Sequence, residues 1–190
     1  SRGLVGSEMC IRDRMKGLDF MIKAFPEIKK NYPKAKLSVL GKIRKEGHTE
    51  RLINSLDLKD DINFVSGLSH SELREQYCSS HVVVIPSLYE GFGFAAAEAM
   101  ACGVPALVSD GGSLKEIVGE AGKVIIPGDE NAIVDAVNEL FSCEDLRKNM
   151  VAKGISRVKD KFTWHNAALK LENIYHQMIE SHANNKYSKT

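Results

Sequence analysis

A doubly wound α/β fold, a parallel sheet covered by helices on both faces (Rossmann-like), is the architecture this 190-residue sequence predicts. Three observations carry it. Short apolar runs alternate with helix-period segments at intervals of roughly 20–25 residues, the pattern of repeated strand–helix units. One run, Val82-Val83-Val84-Ile85, is apolar at every position, the mark of a strand buried on both faces. The composition, 43% hydrophobic and 27% charged, supplies enough core for one globular domain.

The elements follow in order. Leu18, Met21, Ile22, Phe25 and Ile28 share one helical face. Pro26 is expected to kink that helix, because it removes the bond to the Ile22 carbonyl. Lys36–Gly41 and Ile62–Val65 read as strands, separated by a helix around Glu50–Leu56. Ser69-His70-Ser71-Glu72 has capping-box spacing and opens a helix carrying Leu73 and Tyr77. The strand Val82–Ile85 ends at Pro86. Ala95–Cys102 is rich in strong helix formers and is stopped by Gly103, with Pro105 just beyond. Ala106–Ser109 is the next strand. Ser113–Glu116 repeats the capping-box spacing before a short helix, and Val124–Ile126 is a strand closed by Pro127-Gly128. Ile133, Val134, Val137, Leu140 and Phe141 form one apolar stripe, and Leu146 and Met150 lie on a further helix. Thr163 is placed to cap a long last helix that buries Trp164, Leu171, Ile174, Tyr175 and Met178. That makes five strands, joined by right-handed crossovers.

The two ends read differently. Residues 1–14, SRGLVGSEMCIRDR, show neither period and lack the parts of a signal peptide. The SEMCIRDR stretch resembles a translated junction sequence that recurs at the ends of metagenomic gene fragments. Residues 1–14 are therefore read as a non-native or disordered terminus, 15–182 as the domain, and 183–190 as a frayed polar tail.

Charge and composition remove several function classes. Lys plus Arg is 26 and Asp plus Glu is 25, a net charge of +1 that offers nothing to nucleic acid. No apolar run approaches the roughly 18–20 residues of a membrane span. Cys10, Cys78, Cys102 and Cys143 contain no CxxC, and the six histidines contain no HxxxH, so no metal site is expected. Unpaired thiols without a signal peptide point to the cytoplasm. Lys42, Arg44 and Lys45 read as a solvated cluster, His81 and His165 as ordinary residues, Cys102 as a small buried apolar group and Trp164 as core. Asp110-Gly111-Gly112 fits a plain turn as well as a cleft wall.

In open α/β sheets ligands bind beyond the carboxyl ends of the strands, at helix N-termini. That rule selects Pro86-Ser87-Leu88-Tyr89-Glu90-Gly91-Phe92-Gly93-Phe94. Its glycines permit a sharp turn and close approach of backbone to ligand. The N–H groups of Gly93, Phe94 and Ala95 would meet a diphosphate at the positive end of the helix. Glu90 lies in the loop, and Glu98 lies about 6 Å along the helix from Phe94. Two carboxylates so placed suit a sugar at one end of a ligand and a ribose at the other.

Glu90-Gly91-Phe92-Gly93-Phe94, followed by Glu98-Ala99-Met100-Ala101-Cys102-Gly103-Val104-Pro105, resembles the E-x7-E signature of retaining glycosyltransferase family 4. The resemblance runs from Met15-Lys16-Gly17-Leu18 through Gly111-Gly112 and Pro127-Gly128-Asp129 to Phe162-Thr163-Trp164. It implies the C-terminal half of a two-domain GT-B enzyme that transfers a sugar, with retention and with neither a bound metal nor another cofactor, from a UDP- or GDP-sugar as substrate to a hydroxyl acceptor. Glu98 would hold the ribose and Glu90 the transferred sugar. The backbone of Gly91, Phe92, Gly93 and Phe94 would meet sugar and phosphates. Lys16 would neutralise the departing diphosphate, and Ser66-Gly67-Leu68 would pack on the nucleobase.

One departure is plain. The family's strand ending in Gly-Arg before the lysine is replaced by the atypical terminus, and neither Arg12 nor Arg14 takes the arginine's role. An acceptor-binding N-terminal domain is expected as the missing partner, so this chain alone is expected to be inactive. Peripheral attachment to the inner membrane would come through that domain. Two other readings stay open, a receiver-type or non-catalytic nucleotide-binding module and a GT-B nucleotide-sugar epimerase. A receiver needs acidic strand ends, whereas these read Leu40-Gly41, Val65-Ser66 and Ile85-Pro86.

Overall fold

The structure, a computed structural model, describes residues 3–7 and 14–187. Six parallel strands form one sheet: β1 (Gly3–Ser7), β2 (Lys36–Leu40), β3 (Ile62–Val65), β4 (Val82–Ile85), β5 (Ala106–Ser109) and β6 (Lys123–Ile125). Their order is β3-β2-β1-β4-β5-β6. The helices are α1 (Leu18–Asn31), α2 (His48–Ser55), α3 (His70–Cys78), α4 (Phe94–Ala101), α5 (Leu114–Val118), α6 (Glu130–Ser142), α7 (Glu144–Lys161) and α8 (Trp164–Tyr187). Doubly wound α/β is the observed class.

The two-residue period of β4 divides the core. Val82 and Val84 join Leu107 under α1, α2 and α6 on one face. Val83 and Ile85 join Val108 under α3, α4 and α5 on the other. All four β4 side chains are buried, as an internal parallel strand requires. The α6 stripe from Ile133 to Phe141 is buried as its spacing predicts. α1 continues through Pro26 to Asn31.

Three expectations are corrected. Gly3–Ser7, read as standing outside the fold, fills the central slot between β2 and β4, with Leu4 fully buried. A Leu-Val pair between glycines is too short to show a period. The facing edges of β2 and β4 would otherwise leave their backbone groups unpaired in the middle of the sheet. Residues 8–13, with Cys10 and Arg12, lie outside the described residues. At the other end α8 runs to Tyr187, through most of the expected tail.

The third correction concerns that helix. Asn166 N–H donates to Thr163 Oγ1 at 3.2 Å, so the cap forms. Its apolar residues do not bury: Trp164 is 91% exposed, and Leu171, Ile174, Tyr175 and Met178 are all exposed. Periodicity identifies an apolar stripe but not what covers it, and α8 packs mainly against α7. No helix among the described residues is long and apolar enough to cross a membrane.

Candidate functional site

The strand order reverses between β1 and β4, and a crevice at such a point is where doubly wound sheets hold ligands. The loops leaving these two strands are stitched together there. Leu88 N–H and Tyr89 N–H both donate to the Met15 carbonyl, at 2.6 and 3.4 Å. Lys16 Nζ donates to Glu90 Oε2 at 2.6 Å, with both side chains about one-fifth exposed. Gly17 is the hinge of this contact. It adopts φ +70°, and a Cβ there would sit 1.9 Å from the Pro86 carbonyl oxygen.

Glu90 is held from its main chain as well. Ser113 donates to the Glu90 carbonyl through both its N–H and its Oγ, each at 3.1 Å. A Cβ on Gly112 would lie 2.3 Å from that same oxygen. The Ser113 side chain makes no helix cap, so the capping-box reading is corrected at this position: the hydroxyl fixes the loop instead. The Asp110–Ser113 turn is thus a bed for the Glu90 loop. By contrast, Ser69 and Glu72 close both capping-box bonds at the start of α3.

α4 begins at Gly93, which takes φ +93° as N-cap, and no side chain caps its first turn. Ala96, Ala99 and Met100 face the sheet. Glu98 lies on the exposed side. The buried Tyr77 hydroxyl, reaching across from α3, donates to Glu98 Oε2 at 3.0 Å. Burial, and then the Glu98 charge and hydrogen bond, push the Tyr77 phenol far above the ordinary tyrosine range. Phe92 and Phe94 are both exposed and stack with centroids 4.4 Å apart. With Phe162 and Trp164 they wall an apolar cavity of about 540 Å³ that Glu98 borders.

Lys16, Glu90 and the start of α4 are therefore brought together at one end of the sheet. Ser66 and Gly67, exposed, and Leu68, half-buried, lie at the same carboxyl end but after β3. Three strand spacings separate β3 from β4, roughly 14 Å. α3 joins the two regions, starting two residues after Leu68 and carrying Tyr77 in its last turn. Sequence reasoning missed Tyr77 and Ser113 as site residues and left Gly112 between a plain turn and a cleft wall. The Gly-Gly pair before Ser113 was the one local signal, and Tyr77 had none. Among the described residues no group of three or more His, Cys, Asp or Glu side chains is placed to hold a metal ion.

Tyr77→Phe tests the hydrogen bond to Glu98. Losing it is expected to cost about 1 kcal/mol at neutral pH. Because the folded-state pKa is raised, stability falls as pH climbs past about 10, where the unfolded tyrosine ionises and the folded one does not. The variant should lose that part of the alkaline slope. Alkaline absorbance titrations of the two folded proteins should superimpose up to about pH 11. An extra phenol ionising in wild type within that range would contradict the assignment.

Comparison with known proteins meets this geometry. Residues 12–157 match the family described as Glycosyl transferases group 1. The chain is 31% identical over 168 residues to the MMP alpha-(1->4)-mannosyltransferase of Mycolicibacterium hassiacum, covering 87% of this chain and 41% of that protein. Sucrose-phosphate synthase from Thermosynechococcus elongatus superposes with TM-score 0.82 at 29% identity, over 95% of this chain and 46% of the other. A C-terminal domain of a glycosyl transferase group 1 family protein from Francisella tularensis superposes with TM-score 0.73 at 25% identity, over 86% and 87%. The chain spans about two-fifths of the length of the curated relatives it matches. On its fold and its matched span, the chain belongs to the glycosyl transferases group 1 family.

Proposed function

We propose that this chain is the donor-binding half of a retaining sugar transferase that uses a nucleotide-diphosphate sugar. The observation that carries the reading is the Lys16–Glu90 pair at the strand reversal, beside the uncapped start of α4. The diphosphate would lie against the first turn of α4, whose N–H groups and dipole favour negative charge. As the bond between the anomeric carbon and the phosphate oxygen breaks, charge grows on the leaving diphosphate. Lys16 would turn from Glu90 to meet it. Glu90 would then accept from hydroxyls of the transferred sugar, with Gly91–Phe94 close to sugar and phosphates. Glu98, steadied by Tyr77, would accept from the ribose hydroxyls. Ser66, Gly67 and Leu68 would line the base end. No bound metal has a part in this scheme.

Mannosyl transfer by the Mycolicibacterium hassiacum relative supports a hexose donor. The acceptor would bind to a domain outside this chain, a proposal supported by the span of the relatives. Lys16→Ala tests the role of the lysine. A lost charge-assisted bond is worth about 1.5–3 kcal/mol, so affinity for a nucleoside diphosphate should fall at least roughly tenfold. Affinity for the matching nucleoside should hold. Equal losses for both ligands, measured by calorimetric titration, would remove Lys16 from the diphosphate.

A further inference from the structure

Cys78 and Cys102 are 24 residues apart in sequence, yet the Cys78 thiol lies 3.9 Å from the Cys102 carbonyl oxygen. Cys78 also acts on the Cys102 thiol, helping, after burial, to hold it above the ordinary thiol pKa. Cys78 ends α3 and is exposed, whereas Cys102 caps the end of α4 and is half-buried. Arg74 adds a positive charge beside the pair. The junction also carries the Tyr77–Glu98 bond, and Cys102 N–H donates to the Glu98 carbonyl at 3.0 Å.

We propose that Cys78 and Cys102 form a reversible dithiol–disulfide site that staples the end of α3 to the end of α4, with a small-molecule disulfide such as oxidised glutathione as the oxidant. The exposed Cys78 thiolate attacks one sulfur of glutathione disulfide, forming a mixed disulfide and expelling one glutathione thiolate. The Cys102 thiolate then attacks the Cys78 sulfur and expels the second. Two protein thiols are oxidised by two electrons, one glutathione disulfide is reduced to two glutathione molecules, and the thiol protons balance the departing thiolates. Burial and the neighbouring Cys78 raise the Cys102 thiol pKa, so Cys78 is the attacking residue and Cys102 the resolving one. The bond fixes the end of α3 that carries Tyr77, and with it the hydroxyl on Glu98.

The test treats the whole chain with glutathione disulfide, blocks remaining thiols with an alkylating agent and maps peptides without reduction. Trypsin leaves both cysteines in the single peptide 75–115, so cleavage after Glu90 and Glu98 is required. Peptides linked through Cys78 and Cys102 are expected from wild type. They should vanish with dithiothreitol and be absent from C78S and C102S. The melting temperature of wild type should rise on oxidation and return on reduction, and that of C78S should not move. A lasting glutathione adduct on Cys78 with Cys102 still alkylated, both thiols alkylated, or linkage to Cys10 or Cys143 instead would overturn the site.

Discussion

Gly17→Ala is expected to destabilise the domain by about 4 kcal/mol, the largest effect of any single methyl group here. A non-glycine residue at φ +70° costs about 1–2 kcal/mol. The remainder comes from the Pro86 carbonyl, 1.9 Å from the added carbon, in the backbone that directly follows the buried strand β4. Relief would pull the Met15–Gly17 turn off the β4 loop and break the bonds from Leu88 and Tyr89 to Met15. For a chain of this size the melting temperature should fall by roughly 8–16 °C. Gly67→Ala is the control. Gly67 takes φ +72° but has nothing within 4 Å of the added carbon, so it should lose about 1 kcal/mol, roughly 2–4 °C. Equal melting of the two variants would mean that Gly17 does not set the approach of the two loops.

Strands β2 to β5 were legible from apolar residues at a strand's spacing next to glycine, proline or serine, and β6 from Val124-Ile125-Ile126 running into Pro127-Gly128. β1 was not. Leu4 and Val5 flanked by glycines carry almost no local signal, and the strand is specified by the gap between two neighbours rather than by its own residues. α8 failed in the opposite direction. Its stripe is a genuine local pattern, but burial is a property of the partner, and Trp164 stays exposed at the rim of the cavity it shares with Phe92, Phe94 and Phe162.

The site divides along the same line. Glu90, Glu98 and the glycines between them sit in one continuous segment, so their spacing could be read directly. The pairing of Lys16 with Glu90 across 74 residues is set by the strand order, which a linear reading does not contain. Ser113 carried a misleading signal, since its spacing to Glu116 fits a capping box while its hydroxyl serves the Glu90 carbonyl. Tyr77 looked like a core residue. It is one, with only its hydroxyl committed to Glu98.

Glu98→Ala is the second large effect, and it falls on binding. A carboxylate that accepts from both ribose hydroxyls contributes about 1.5–3 kcal/mol, so nucleotide affinity should drop roughly 10–100-fold. Stability should change little by comparison, because the side chain is exposed and only the Tyr77 hydroxyl loses its acceptor. That loss is about 1 kcal/mol, or roughly 2–4 °C. A stable, cooperatively melting variant that binds nucleotide as tightly as wild type would take the ribose away from Glu98.

The most direct measurement is the melting temperature of this chain with UDP, GDP, ADP and their sugar conjugates, in metal-free buffer, for wild type and Glu98→Ala. A ligand that binds only the folded state raises apparent stability by mass action, about 2.7 kcal/mol at one hundred times its Kd. A donor-binding domain should shift upward with one nucleotide family, the sugar conjugate included, and the Glu98→Ala protein should lose most of that shift. Cooperative melting that none of the nucleotides moves would contradict a nucleotide-sugar site at the β1–β4 reversal.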